Sequence, residues 1–155
     1  METEKTEELI ATNYSLSQTL NCLVDLYEKL EEPTGNILYA INKNKTKLIA
    51  NGKEVNSTRE TLLALHTKCG EDGKPEVKKQ GGKDENGNEV ETVVWVEKDS
   101  EKKFMEAYQS LMNAENKDFI FHKIPLSVWN EIKIKKGEPV YGIDYLFEYI
   151  IDEEK

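Results

Sequence analysis

Apolar residues in this chain come in short, separated blocks, and the spacing within each block limits what it can form. Leu16, Leu20, Leu23, Tyr27 and Leu30 alternate steps of four and three, which puts all five on one stripe of a helix. Ser15 and Gln18 have the spacing of a capping box at its start, and Pro33 stops it. Upstream, Glu7 to Thr12 reads equally as a short edge strand or a first helical turn. Thr34 is placed to cap a second helix whose apolar face opens with Ile37, Leu38 and Ile41. Ile41, Leu48, Val55, Leu62 and Cys69 then recur every seventh residue. This predicts one helix from about Gly35 to Cys69, stopped by Gly70. Gly52 costs such a helix about 1 kcal/mol relative to alanine, and Asn51-Gly52 also fits a turn. The absence of strand-like alternation on either side favours the single helix, with Gly52 as the place for a kink.

Beyond Gly70 the pattern changes. Asn86-Gly87 is a strong two-residue hairpin signal, because both turn positions need positive φ. Val90 to Val96 is rich in β-branched residues and carries Trp95. A hairpin centred on Asn86-Gly87 sets Val77 opposite Val96 and Lys79 opposite Val94, with Gly81-Gly82 as a bulge or a loose tip. Asp99 or Ser100 opens a third helix with Phe104, Ala107, Tyr108, Leu111 and Met112 on its apolar face. DFIFHKIPL reads as a strand with Phe119 and Phe121 on one face, ended by Pro125. Leu126 to Ile132 reads as a short helical turn carrying Trp129, and Gly137 to Gly142 as a loop. Asp144 caps a last helix striped by Ile143, Leu146, Phe147, Ile150 and Ile151. There is no internal repeat and no linker. The expectation is a single α+β domain over residues 1–155. It combines an antiparallel helical hairpin (about 15–69) with a β/helix part (about 72–155) holding a small antiparallel sheet and two further helices.

The two hairpin helices differ in length. About 16 residues span roughly 24 Å, whereas about 35 span roughly 52 Å. Half of the second helix therefore outruns the first, yet Val55, Leu62 and Leu65 keep that half apolar. The third helix, the β hairpin, a second copy of the chain or a foreign partner must cover it. Leu48, Val55, Leu62 and Leu65 are the candidate residues for self-association or partner binding. The intervening NKNKTK is polar on most faces, which favours a solvated span over a deep core.

Composition narrows the partner. The 155 residues carry 30 acids against 21 Lys and Arg, for a formal net charge of −9. That opposes non-specific nucleic-acid binding and anionic membrane surfaces. No apolar run approaches the roughly 18 residues of a membrane span, and METEKTEELI has no signal-peptide core. A cytoplasmic protein is expected, with Cys22 and Cys69 as buried or half-buried thiols.

The chemical motifs are thin. DENGNEVE spaces Asp84, Asn86 and Asn88 like calcium ligands, but Glu89 stands where the loop needs glycine and Trp95 where it needs an acid, so it reads as a hairpin tip. His66, Cys69 and His122 lack a fourth zinc ligand. Neither G-x-S-x-G nor a phosphate-binding Gly-Lys-Ser/Thr loop occurs. No catalytic residue, metal or cofactor is assigned. Trp95, Trp129, Tyr141, Tyr145, Phe147 and Tyr149 read as core before recognition surface.

Taken in order, a helix, a Pro turn, ILYAINKN opening a very long helix, EDGKP, a variable β region, FMEAYQSLM, FIFHKIPL and YLFEYIIDEE form a pattern. It resembles small acidic proteins of unknown function encoded by tailed phages and prophages of low-GC bacteria. Lys79 to Asn88 and Asn51-Gly52 stand apart from that pattern. The resemblance implies a phage or prophage origin and carries over no catalytic residue. The expected function is that of a non-enzymatic accessory protein acting by protein–protein binding, as a virion or assembly component or as an inhibitor of a host enzyme or defence. The alternatives are a small enzyme or ligand-binding protein with an unrecognised site, and an acidic mimic of nucleic acid.

Overall fold

The computed structural model describes residues 10–135 and 139–153. Residues 7–9 of the expected N-terminal element, and Gly137 and Glu138 of the expected loop, lie outside the described residues. In chain order the elements are α1 (Asn13–Lys29), β1 (Leu30–Glu31), α2 (Gly35–His66), β2 (Val77–Lys83), β3 (Glu89–Val93), α3 (Ser100–Asn113), β4 (Ile124–Pro125), α4 (Leu126–Trp129), β5 (Lys133–Ile134), α5 (Ile143–Tyr149) and β6 (Ile151–Asp152). The fold is α+β, with one very long helix. The chain divides into two compact units, residues 1–53 with 113–155 and residues 54–112, so the division falls inside α2.

In the first unit, α1 starts three residues earlier than its spacing suggested. Thr12, not Ser15, is the N-cap. The Ser15 amide donates to Thr12 Oγ1 at 3.1 Å, and the Thr12 amide donates to Ser15 Oγ at 2.9 Å. Thr12-x-x-Ser15 and Ser15-x-x-Gln18 are equally polar, and the pairing of Thr12 with Glu115 selects the first. Leu16, Leu23 and Leu26 from α1 pack with Ile37, Ala40, Ile41 and Leu48 from α2 and with Phe121, Ile124, Leu146, Tyr149, Ile150 and Ile151. Each fully buried leucine or isoleucine contributes about 1.5–3 kcal/mol. Helix α2 continues through Gly52, whose added Cβ would meet nothing within 4 Å. At 32 residues it is about 48 Å long. Thr34 caps it, accepting the Ile37 amide on Oγ1 at 3.4 Å.

The stretch NKNKTK is solvated at Asn42, Lys43 and Thr46 but not throughout. Asn44 is fully buried, at 0% exposure, and Leu48 is 2% exposed. Asn44 Oδ1 accepts the His122 amide at 2.7 Å, and Asn44 Nδ2 donates to the His122 carbonyl at 2.9 Å. One side-chain amide thus replaces the paired peptide group that a neighbouring strand would supply. One turn on, Lys47 Nζ donates to the Ile120 carbonyl at 2.9 Å, and Asn51 Oδ1 accepts from Asn116 Nδ2 at 2.9 Å. This polar edge of α2 holds residues 116–122 along the helix. DFIFHKIPL is accordingly not one strand: only Ile124–Pro125 pairs, in parallel with Ile151–Asp152. The same pairing ends α5 at Tyr149, where a longer helix was expected, because Ile150 is its C-cap and Ile151 leaves for β6. Asp144 does not cap α5. Gly142 does, at φ 68°, where a Cβ would approach the Tyr145 ring at 3.3 Å and Cys22 Cβ at 3.6 Å. Strands β1 and β5 pair antiparallel.

In the second unit, α2 ends at His66, three residues before Cys69. The reason is β pairing: the Lys68 amide donates to the Val94 carbonyl at 2.8 Å and the Glu76 amide to the Lys68 carbonyl at 2.8 Å. Thr67 and Cys69 bridge to Trp95 and Pro75. The hairpin register also differs. Val77 faces Val93 and Lys79 faces Glu91. Three residues, Gln80 to Gly82, then oppose Val90 alone before Lys83 meets Glu89. Gly81 and Gly82 absorb this bulge at φ 75° and 126°. Helix α3 opens at Ser100, whose Oγ accepts the Glu97 amide at 2.9 Å. Its Phe104 lies at 5.9 Å from Trp95 and 6.1 Å from Tyr108, with the Arg59 guanidinium 5.8 Å from both the Phe104 and Tyr108 rings.

Replacing Asn44 by alanine should cost about 2–4 kcal/mol in urea unfolding, by removing two hydrogen bonds and opening a small void. In Asn44→Asp, burial raises the folded carboxyl pKa above its unfolded value near 3.9. The variant should therefore lose stability as pH rises from about 4 to 7, while the parent does not.

Candidate functional site

The four residues expected to meet a partner fall in different surroundings. Leu48 lies in the core of the first unit, so its own chain covers it and it is withdrawn as an association residue. Val55 and Leu62, in the second unit, are half-buried. Leu65 is 69% exposed. Among the described residues, Phe104 is the only fully buried apolar side chain of residues 54–112, whereas seventeen such residues form the core of the first unit. The second unit also exposes Val77, Val96 and Met105, while Leu63, Trp95, Leu111 and Met112 are half-covered. Its aromatic cluster is thus a thin core, and several apolar side chains of the unit stay uncovered by it. The mixed coverage of Val55 and Leu62 follows from their period, since a seven-residue beat tracks the face turned towards this thin core.

The aromatic candidates separate in the same way. Tyr149 is buried and stacks on Phe121 at 5.4 Å, while its hydroxyl pairs with Ser15 Oγ at 3.2 Å. Trp95, Trp129 and Tyr145 are half-buried, and Tyr141 and Phe147 are exposed. Burial, with Tyr14, Glu148, Tyr141 and Tyr149 close by, pushes the Tyr145 phenol pKa up. Asp84 Oδ1 accepts the Asn86 and Asn88 amides, both at 2.9 Å, so the calcium-like run is a hairpin tip held by its own carboxylate. Among the described residues no three His, Cys, Asp or Glu are gathered as metal ligands. The His122 ring meets Tyr39 edge-on at 5.5 Å.

Two clefts open in the first unit. One, of about 170 Å³, is lined by Ile10, Ala11, Phe119, Phe121 and Tyr149 with Lys117, Lys123 and Glu148 among its polar groups. The other, of about 220 Å³, lies between Glu31–Ile37 and Val128–Lys133. Both are smaller than the roughly 300–1,000 Å³ of pockets that enclose a drug-sized ligand. Sequence reasoning missed the first cleft, because nothing in DFIFHKIPL shows that its strand-like alternation goes without a strand partner.

Asp25 and Lys29 fix Pro139 and Tyr141 to α1. Asp25 Oδ2 accepts Lys29 Nζ at 2.8 Å and the Tyr141 amide at 2.7 Å, and Lys29 Nζ also donates to the Pro139 carbonyl at 2.7 Å. The Lys29 hydrogen bond, then the Tyr141 amide, holds the Asp25 carboxyl below its usual pKa. Cys22 is fully buried, and burial, with Asp25 nearby, pushes its thiol up to about 12. Cys69, expected to be at least half-buried, is exposed.

Comparison with family models, with curated proteins and with solved structures finds no match for this chain. Among the described residues, no helix is long and apolar enough to cross a membrane.

Two solution tests follow. Iodoacetamide at pH 8 should label Cys69 and leave Cys22 unmodified until the protein unfolds, as read by mass spectrometry. A lowered folded pKa means that the Asp25 anchor is intact above the unfolded value near 3.9 and is lost as pH falls through the folded one. NMR titration should place the Asp25 midpoint below that of a free aspartate, and Asp25→Asn should remove the acid-dependent change at the Tyr141 amide.

Proposed function

We propose that this is a non-enzymatic accessory protein of phage or prophage type. It works in the cytoplasm by binding another protein, through the uncovered apolar side chains of its second unit. One observation carries the reading: 59 residues, 54 to 112, enclose a single fully buried apolar side chain while Leu65, Val77, Val96 and Met105 stand exposed. Small units bury proportionally little of their surface, and one this thinly cored gains stability by adding apolar cover. Completing the burial of a leucine-sized side chain contributes up to about 1.5–3 kcal/mol, so micromolar binding, at about 8 kcal/mol, needs several such residues together. Val55, Leu62 and Leu65 are the residues assigned to this contact. The phage setting rests on the order of sequence elements described above. A virion or assembly part and an inhibitor of a host enzyme both fit a role of this kind.

Hydrogen exchange combined with light scattering tests the reading. In dilute monomer, amides of the second unit should exchange at least tenfold faster than those around Leu23, and association should slow them. Leu65→Glu should weaken association about tenfold or more with unchanged helical circular dichroism. The double variant Val55→Glu, Leu62→Glu should abolish it. Second-unit amides as protected in the dilute monomer as the first-unit core would overturn the proposal.

A further inference from the structure

The cleft of about 220 Å³ in the first unit has an apolar floor and a charged rim. The floor belongs to the unit's own core: Leu30 and Ile37 are buried, and Val128 and Ile132 are half-buried and packed on that core. At the rim, Glu31, Glu32 and Glu131 are all exposed. One lysine stands among them. Lys133 opposes Glu31 across the β1–β5 pair, and its Nζ lies 3.9 Å from Glu32 with both side chains mostly in water. The amino end of α2 adds about half a positive charge, which Thr34 caps. Three carboxylates thus outweigh the positive charge around the cleft. Glu32 also holds φ at 46°, a left-handed value that glycine adopts more easily, so a carboxylate stands here at a conformational cost. Beyond Lys133 the chain bonds elsewhere: the Lys135 amide donates to the Lys29 carbonyl at 2.9 Å, and Lys29 Nζ donates to the Pro139 carbonyl at 2.7 Å. Lys29, Lys135 and Pro139 do not line the cleft. Ile10 lies at the opposite end of α1, about 25 Å along the helix.

We propose that this cleft binds an arginine side chain presented by an exposed segment of another protein. An apolar floor beneath an acidic rim matches a side chain with an apolar stem and a cationic head. The methylene stem covers Leu30, Ile37, Val128 and Ile132, and the guanidinium reaches the carboxylates at the rim. Arginine suits the cleft better than lysine, because its planar fork pairs with a carboxylate through two parallel hydrogen bonds and gives up water more readily. A wholly apolar side chain would cover the floor and leave the rim without a counter-charge, and an acidic one would meet like charge. The cleft is too small for a drug-sized ligand but has room for one long side chain. The net charge of −9 draws such a basic segment in from a distance, and the rim carboxylates fix where it lands. The cleft lies wholly in the first unit, so this inference goes beyond the proposed contact of the second unit and stands or falls separately.

The probe is the peptide Ala-Ala-Arg-Ala-Ala, blocked at both ends, titrated at low salt into the full-length protein and followed by amide NMR. Shifts should concentrate at Leu30 to Ile37 and Val128 to Lys133, with the second unit unaffected. Citrulline in place of the arginine keeps the shape and loses the charge, and should weaken binding about tenfold. Glu131→Gln should weaken the arginine peptide about threefold, the scale of one exposed ion pair. Glu32→Gly should weaken it by a similar factor while raising the unfolding midpoint, since it removes the backbone strain together with the charge. Loss of binding in that variant is then no loss of fold. Lys133→Gln, which removes the competing cation, should tighten binding about twofold. Equal binding of the citrulline peptide would overturn the proposal. So would an absence of shifts, shifts scattered over the whole acidic surface, or unchanged affinity in both Glu131→Gln and Glu32→Gly.

Discussion

The arrangement of the first unit depends on one buried side-chain amide. Asn44 sits on a helix at 0% exposure and offers the His122 backbone one donor and one acceptor, with the spacing of a peptide bond. A polar group buried so deeply is tolerable only when both ends are satisfied. No other side chain of similar size carries a donor and an acceptor so placed: aspartate lacks the donor and leucine lacks both. Asn44 therefore fixes the segment that leads into β4. That placement in turn positions Phe121 against Tyr149 and β4 against β6.

The two units are built on different balances. In the first, eight apolar residues of α1 and the early part of α2 meet seven from residues 121–151, and hydrophobic burial dominates. In the second, much of the order is main-chain: Lys68, Glu76 and Val94 are each hydrogen-bonded to the other two, Thr67 and Cys69 bridge to Trp95 and Pro75, and the aromatic cluster around Phe104 adds one buried ring. Main-chain hydrogen bonds add little net stability when water can compete for them. A unit that relies on them gains more from further apolar cover than one already sealed.

Much of this was legible in the sequence, and the gaps have physical causes. The helices α1 and α2 and the continuity of α2 through Gly52 follow from apolar spacing, but burial follows the stripes only in part: Leu26 is buried where Tyr27 is exposed, and of the seven-residue beat only Ile41 and Leu48 are buried. Val55 and Leu62 were readable as a stripe, but how far each is covered depends on elements distant in sequence. Asn44 was not legible: within NKNKTK it looks like any solvated helix residue, because its partner is 78 positions away. The Phe119–Phe121 alternation read as a strand, but the partner of His122 is the Asn44 side chain, and pairing with a strand begins only at Ile124. Ile150-Ile151 shows β-branched character at the end of a helical stripe, a local signal that the long-range pairing with Ile124 decides.

The glycine bulge in β2 separates two parts of the hairpin. Below it, Val77, Lys78 and Lys79 keep one register with β3; above it, the Asp84 turn sets another. Surplus backbone is taken up between them at residues whose φ values only glycine adopts freely. A change in the length of the tip therefore alters slack and leaves the alignment at the base intact. This makes the hairpin tip the place on this chain where foreign sequence can be grafted, or length can drift between related proteins, without disturbing the packing beneath.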